Sequence, residues 1–228
     1  MNIFEFVAPI ETHQELNPKL WTGDNLRPEV HNALLTIAAQ FFDFLNMPVE
    51  VEDIIISGSQ ANYNYSPYSD LDLHFIVDYK KVQCDMETDE LFDTKRKLWK
   101  EQHNIKIHSI PVELYVEDTM QPAVSSVYSL LTRKWIKTPD PKAVVWDKHH
   151  VVDEVKKWTE FIETALKSNN LEVCRRVKEM LSVYRKDGLA NGGEFSVPNL
   201  AFKSLRNAGK VQELMDKIGQ LFDRQLSI

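Results

Sequence analysis

Cysteine is scarce in this 228-residue chain: Cys84 and Cys174 are the only two. They lie far apart and follow no metal-ligand spacing. No run of 18 apolar residues occurs, so no membrane-spanning helix is expected. Basic residues are outnumbered, 27 Lys and Arg against 34 Asp and Glu, for a net charge of −7. A surface of that balance is not an all-over footprint for nucleic acid, although one local pocket can still handle nucleotides. Internal repeats, low-complexity tracts and a Ser/Gly-rich linker are also missing. With no signal peptide read at its start, the chain is expected to keep reduced thiols in the cytoplasm. Its hydrophobic fraction, 43%, supplies one good core or one and a half, which means one or two domains.

The first 28 residues carry Pro9, Pro18 and Pro28 and read as an irregular arm wrapping the domain. From Pro28, a favoured first helical residue, Val30, Leu34, Ile37, Phe41 and Leu45 recur at helical spacing. "VEDIIIS" (51–57) reads as a buried strand stopped by Gly58, 59–65 as a short helix or turn, and "DLDLHFIVD" (70–78) as a second strand. "ETDELFDTKRKLWKEQ" (87–102) is a helix, and "IKIHSIPVELYVED" (105–118) a strand broken near Pro111. Beyond 120 the segments 121–135, 151–168, 170–187 and 198–226 read as helical. The expected fold class is therefore α+β: a mixed sheet with flanking helices over 1–120, then a helical C-terminal lobe over 121–228.

Strand side chains alternate faces. Leu71, Leu73, Phe75 and Val77 share a core face, while Asp70, Asp72, His74 and Ile76 share the other. Alternating aspartates are also what a strand with one wet face looks like. Aspartate is nevertheless a poor strand former, and two on one face repel, so a compensating charge is expected. A divalent cation serves well, because Mg²⁺ takes oxygen ligands, typically one or two carboxylates plus phosphates and waters. By the same alternation, Glu113 and Tyr115 face one way, and Val112, Leu114 and Val116 face the core. If the two strands are neighbours, Glu113 joins the aspartates. Three such acceptors can hold two metal ions roughly 3.5–4 Å apart, an arrangement suited to in-line displacement at phosphorus. Upstream, Gly58-Ser59 ends an apolar strand, with ten residues between Ser59 and Asp70. Glycine lets a phosphate approach the backbone closely, and serine adds a hydroxyl.

This constellation resembles the nucleotidyltransferase superfamily typified by DNA polymerase beta. Small members read G-S-x-A-x-G-x(5)-S-D-h-D-L. Here Gly58, Ser59, Ala61, Ser69, Asp70, Leu71, Asp72 and Leu73 match, with Glu113 as the later acidic strand residue; Tyr63 stands where the second glycine is common. The resemblance covers residues 30–118. It implies transfer of a nucleoside monophosphate from an NTP, such as ATP, to a hydroxyl acceptor, with release of pyrophosphate. It also implies two Mg²⁺ or Mn²⁺ ions on Asp70, Asp72 and Glu113. Gly58 and Ser59 would hold the β and γ phosphates beside Ser69, and Glu113 would take the acceptor's proton. The acceptor is left open between an RNA or tRNA end, a second nucleotide, a protein hydroxyl and a small molecule.

Other residues carry two readings each. His74 either touches substrate or is a partly buried structural histidine, and Tyr115 either stacks on a base or packs in the core. Lys203, Arg206 and Lys210 form one helix face that either reaches phosphates or is simply solvated. Arg133, Lys134 and Lys137 make a basic patch or a solvated helix end. Glu117 and Asp118 read as a solvated strand terminus, and "NGGEF" (191–195) as a loop able to act as a lid. The competing function is a non-catalytic or antitoxin-like module of the same fold that acts with a partner protein.

Overall fold

The computed structural model describes residues 12–47, 49–82, 88–119, 125–140 and 147–227. The chain divides into two compact units, one within 11–141 and the other within 142–228. Cys84 lies outside the described residues.

In the first unit a short hairpin, β1 (Trp21–Thr22) and β2 (Asn25–Leu26), leads into helix α1 (Pro28–Leu45). Proline at its first position suits a helix start, and Asn46 in the left-handed region ends it. Then follow β3 (Val51–Ser57), β4 (Leu71–Val77), α2 (Thr88–Gln102), β5 (Lys106–Ile107), β6 (Ile110–Asp118), β7 (Val127–Ser129) and β8 (Lys134–Lys137). The sheet order is β5-β6-β4-β3-β7-β8. Strands β3 and β4 pair antiparallel, whereas β4 and β6 pair parallel, α2 making the crossover between them. The sheet is therefore mixed, as the α+β reading expects.

Alternation along β4 is complete: Leu71, Leu73, Phe75 and Val77 are buried, and Asp72, His74 and Ile76 between them are only half-buried. The apolar side receives α1, whose Phe41 and Phe42 meet the Phe75 ring at centroid distances of 5.2 and 4.9 Å. Phe92 and Trp99 of α2 and Leu114 of β6 complete this core.

The second unit holds α3 (Lys148–Ser168), α4 (Leu171–Gly192), α5 (Val197–Asn207) and α6 (Lys210–Leu226). Asp147 caps α3 by accepting the His150 N–H at 3.1 Å, and Asn170 caps α4 through the Glu172 and Val173 N–H groups. Val151, Val155, Trp158, Ile162 and Ala165, at steps of three and four, put one face of α3 into this unit's core.

Several expectations change. Residues 12–27 are not a peripheral wrap, because Leu16, Leu20, Trp21 and Leu26 are buried in the main core; residues 1–11 lie outside the described ones. Of the helix expected over 121–135, residues 121–124 lie outside the described ones, and the rest instead form β7 and the start of β8, so the sheet continues beyond residue 125 and Arg133 to Lys137 form a turn and an outer strand. The break expected at Pro111 falls at His108 and Ser109, both at positive φ, which close the β5–β6 hairpin. "NGGEF" is the end of α4 and one tight helical turn rather than an open loop. The face proposed for Lys203, Arg206 and Lys210 is broken at Gly209, and Lys210 pairs with Glu163 and Glu213.

Phe75→Ala should lower stability by about 3–5 kcal/mol, the usual cost of emptying a buried phenyl site. Urea denaturation followed by circular dichroism reads this directly; a loss below about 1 kcal/mol would contradict the core described.

Candidate active site

The parallel register of β4 and β6 sets Asp72 opposite Glu113, His74 opposite Tyr115 and Ile76 opposite Glu117. The antiparallel register of β3 and β4 sets Ser57 opposite Asp72 on the other side. Ser57, Asp72 and Glu113 thus form one row across three neighbouring strands, on the face away from the apolar core. Asp70 lies just before the first residue of β4, half-buried.

Gly58 follows Ser57 with φ +74° and ψ −159°, a conformation essentially reserved for glycine. A β-carbon at this position would fall 2.3 Å from Asp72 Oδ2. Backbone conformation and the proximity of the carboxylate both demand glycine here, which brings the Gly-Ser pair and the D-h-D strand into one place. Ser59, buried, opens a single tight helical turn to Ala61. Tyr63 is not among the residues at positive φ, so this chain's loop tolerates a side chain where the resemblance favours glycine.

The loop between β3 and β4 is fastened from the N-terminal segment, a role no sequence signal announces. Gln60 is 1% exposed. Its amide donates to the Ser69 carbonyl at 3.2 Å and accepts from Asn17 at 2.8 Å, and the Trp21 indole donates to its backbone carbonyl at 2.8 Å. His13 stacks on Tyr65 at 3.8 Å, and its backbone N–H donates to the Tyr63 carbonyl at 2.7 Å. Ser69 uses its hydroxyl locally, accepting the Ser66 N–H at 3.0 Å.

Glu113 is the best-defined carboxylate of the row. One oxygen accepts from the Lys100 ammonium of α2, and the other accepts the Tyr115 hydroxyl at 2.6 Å. Burial pushes the Glu113 carboxyl up, but hydrogen bonds from Lys100 and Tyr115 and the charges of Lys100 and Arg96 outweigh it and hold it below the usual carboxylate range. Tyr115 is driven the other way by burial, then by the charge of Asp72 and by Glu113. Its ring stacks on His74 at 4.8 Å, and the Arg96 guanidinium sits over it at 5.0 Å. Ring and hydroxyl of Tyr115 thus both make contacts inside the unit. Among the described residues no group of three or more His, Cys, Asp or Glu side chains is assembled to hold a metal ion, so the expected convergence of Asp70, Asp72 and Glu113 is not formed in this arrangement. Lys203 lies on α5 of the helical unit. Glu117 is no solvated terminus: it bonds His74 at 2.8 Å.

No family model and no curated protein matches the chain. Among solved structures, the cyclic dinucleotide synthase CdnE of Elizabethkingia meningoseptica, solved with GTP and Apcpp, is matched at 15% identity over 98% of this chain and 84% of that chain. The TM-score is 0.28, too low to carry weight for this chain's fold or activity. Among the described residues no helix is long and apolar enough to cross a membrane.

Gly58→Ala should cost about 1–3 kcal/mol through backbone strain alone, before the encounter with Asp72 is added. A thermal melt of the variant tests this, and an unchanged midpoint would contradict the conformation described for position 58.

Proposed function

We propose that the unit within 11–141 is a metal-dependent nucleotidyltransferase, moving a nucleoside monophosphate from an NTP to a hydroxyl acceptor with release of pyrophosphate. The observation that carries the reading is the register that sets Asp72 beside Glu113 while Gly58 lies against the Asp72 carboxylate. The matched motif residues Gly58, Ser59, Ser69, Asp70 and Asp72 supply the chemical class.

The donor set fits divalent ions in kind and in face. Asp72 and Glu113 are hard oxygen donors side by side on a half-buried sheet face, with Asp70 at the entry to β4. The Lys100 ammonium already on Glu113 stands in for positive charge there, and its side chain, 66% exposed, is free to withdraw into solvent. Asp70, Asp72 and Glu113 would hold two Mg²⁺ or Mn²⁺ ions. Bound ions supply Lewis-acid stabilisation of the attacking and leaving oxygens. The chain's own residues do the rest. Gly58 and Ser59 hold the outer phosphates, Glu113 takes the acceptor's proton, and Lys100, once released, neutralises phosphate charge. The Gln60 clamp fixes the backbone immediately before Asp70.

A second reading, a binding module of the same fold without catalysis, is favoured by one observation: Lys100 and Tyr115 already satisfy Glu113. One assay separates the two. Purified protein is incubated with each labelled NTP and Mg²⁺ or Mn²⁺, with and without bulk RNA, and pyrophosphate is measured. The enzyme reading expects release that falls at least about 100-fold in Asp70→Ala and Asp72→Ala, the scale of losing a main electrostatic stabiliser. No release with any NTP, and no NTP raising the melting temperature, would leave the binding module as the function.

A further inference from the structure

Beside the carboxylate row, and not used by the reaction above, three side chains from β3, β4 and β6 are linked in series. Ser57 Oγ lies 2.9 Å from His74 Nε2, and His74 Nδ1 lies 2.8 Å from Glu117 Oε1. The registers put all three on the polar face, because Ser57 is level with Asp72, and Glu117 with Ile76.

The direction of these bonds follows from Glu117. Burial raises its carboxyl, but the hydrogen bond from His74 and the His74 charge outweigh this and keep it below the usual range. An ionised carboxylate only accepts, so Nδ1 carries the shared proton. With Nδ1 engaged by Glu117, it is Nε2 that faces the Ser57 hydroxyl, 2.9 Å away, where an unprotonated Nε2 accepts the serine proton. The ring is held in this pose by its stack on Tyr115, with planes 19° apart. His74 is largely enclosed, its side chain 12% exposed, and Ser57 is half-buried. A hydroxyl on a base that is itself oriented by a carboxylate is the arrangement that activates serine.

We propose that Ser57 is a nucleophilic serine, activated by His74 and positioned through Glu117, that takes an acyl group from an uncharged carboxylic ester. With no metal ion bound, the Asp72 carboxylate level with Ser57 disfavours an anionic substrate, and this selects a neutral one. Ser57 Oγ bonds the ester carbonyl carbon, and the bond from that carbon to the alcohol oxygen breaks. The Ser57 proton passes to His74 Nε2 and then to the departing alkoxide, leaving acyl-Ser57 and a free alcohol. Water releases the acid by the same path, with His74 taking its proton. This chemistry needs neither NTP nor metal, so it stands or falls separately from nucleotidyl transfer.

The test treats full-length protein with a neutral fluorophosphonate probe in the presence of EDTA and maps the adduct by peptide mass spectrometry, which needs no variant. One adduct per chain, on Ser57, is expected. Its rate should fall at least about 100-fold in His74→Gln, the scale of losing a general base, and should fall in Glu117→Gln too. A p-nitrophenyl ester should release one nitrophenol per chain in a burst that Ser57→Ala abolishes, with folding of each variant checked by circular dichroism. No adduct at Ser57, label spread over other serines, or an unchanged rate in His74→Gln would overturn the proposal.

Discussion

The parallel pairing of β4 with β6 is the constraint on which the rest of the polar face depends. It sets Asp72 level with Glu113. Neighbouring strands are about 4.8 Å apart, and two like charges about 5 Å apart repel by about 3 kcal/mol at an effective dielectric near 20. That repulsion must be offset by something nearby. The crossover helix α2 supplies Lys100 to Glu113 and carries Arg96 over Tyr115. The same connection that makes the strands parallel therefore brings in the cations that let the carboxylates stand together. The lysine that meets Glu113 is itself 66% exposed, so this cation reaches the row from the solvent side.

Below the row lies a second layer of contacts. Tyr115 donates to Glu113 and stacks on His74, and His74 bridges Ser57 and Glu117. At the other end, Gly58 accommodates the Asp72 carboxylate, and Gln60 joins Asn17 to the Ser69 carbonyl. The segment before α1 is thus part of the site's support: Leu16, Leu20 and Trp21 anchor it in the core, and Asn17 and Trp21 reach the loop. Buried amide bonds of this kind resist loss, because a stranded partner costs about 1–3 kcal/mol.

Much of this was legible in the residues. Helical spacing from Val30 to Leu45 gave α1, and alternation from Leu71 to Val77 gave β4 with its two faces. The same alternation in β6 put Glu113 on the polar side, conditional on a neighbour relation that the topology supplies. The N-terminal segment hides its place in the core because Leu16, Leu20 and Trp21 follow no single period, and β7 and β8, at three and four residues, are too short to show one. Lys100 was invisible as a site residue, since a lysine on an amphipathic helix looks solvated until the crossover places it. The Ser57, His74 and Glu117 series needs the register of three strands at once, which no local pattern contains.

The central claim is that the Asp72–Glu113 row takes up divalent cations once Lys100 gives way. Electron paramagnetic resonance of Mn²⁺ titrated into the purified protein measures this without any assumption about acceptor or nucleotide. The account predicts saturable Mn²⁺ binding that Asp72→Asn and Glu113→Gln each abolish and Lys100→Ala tightens. Mn²⁺ that stays free in the wild-type protein, or binds equally well when both carboxylates are neutralised, would contradict it.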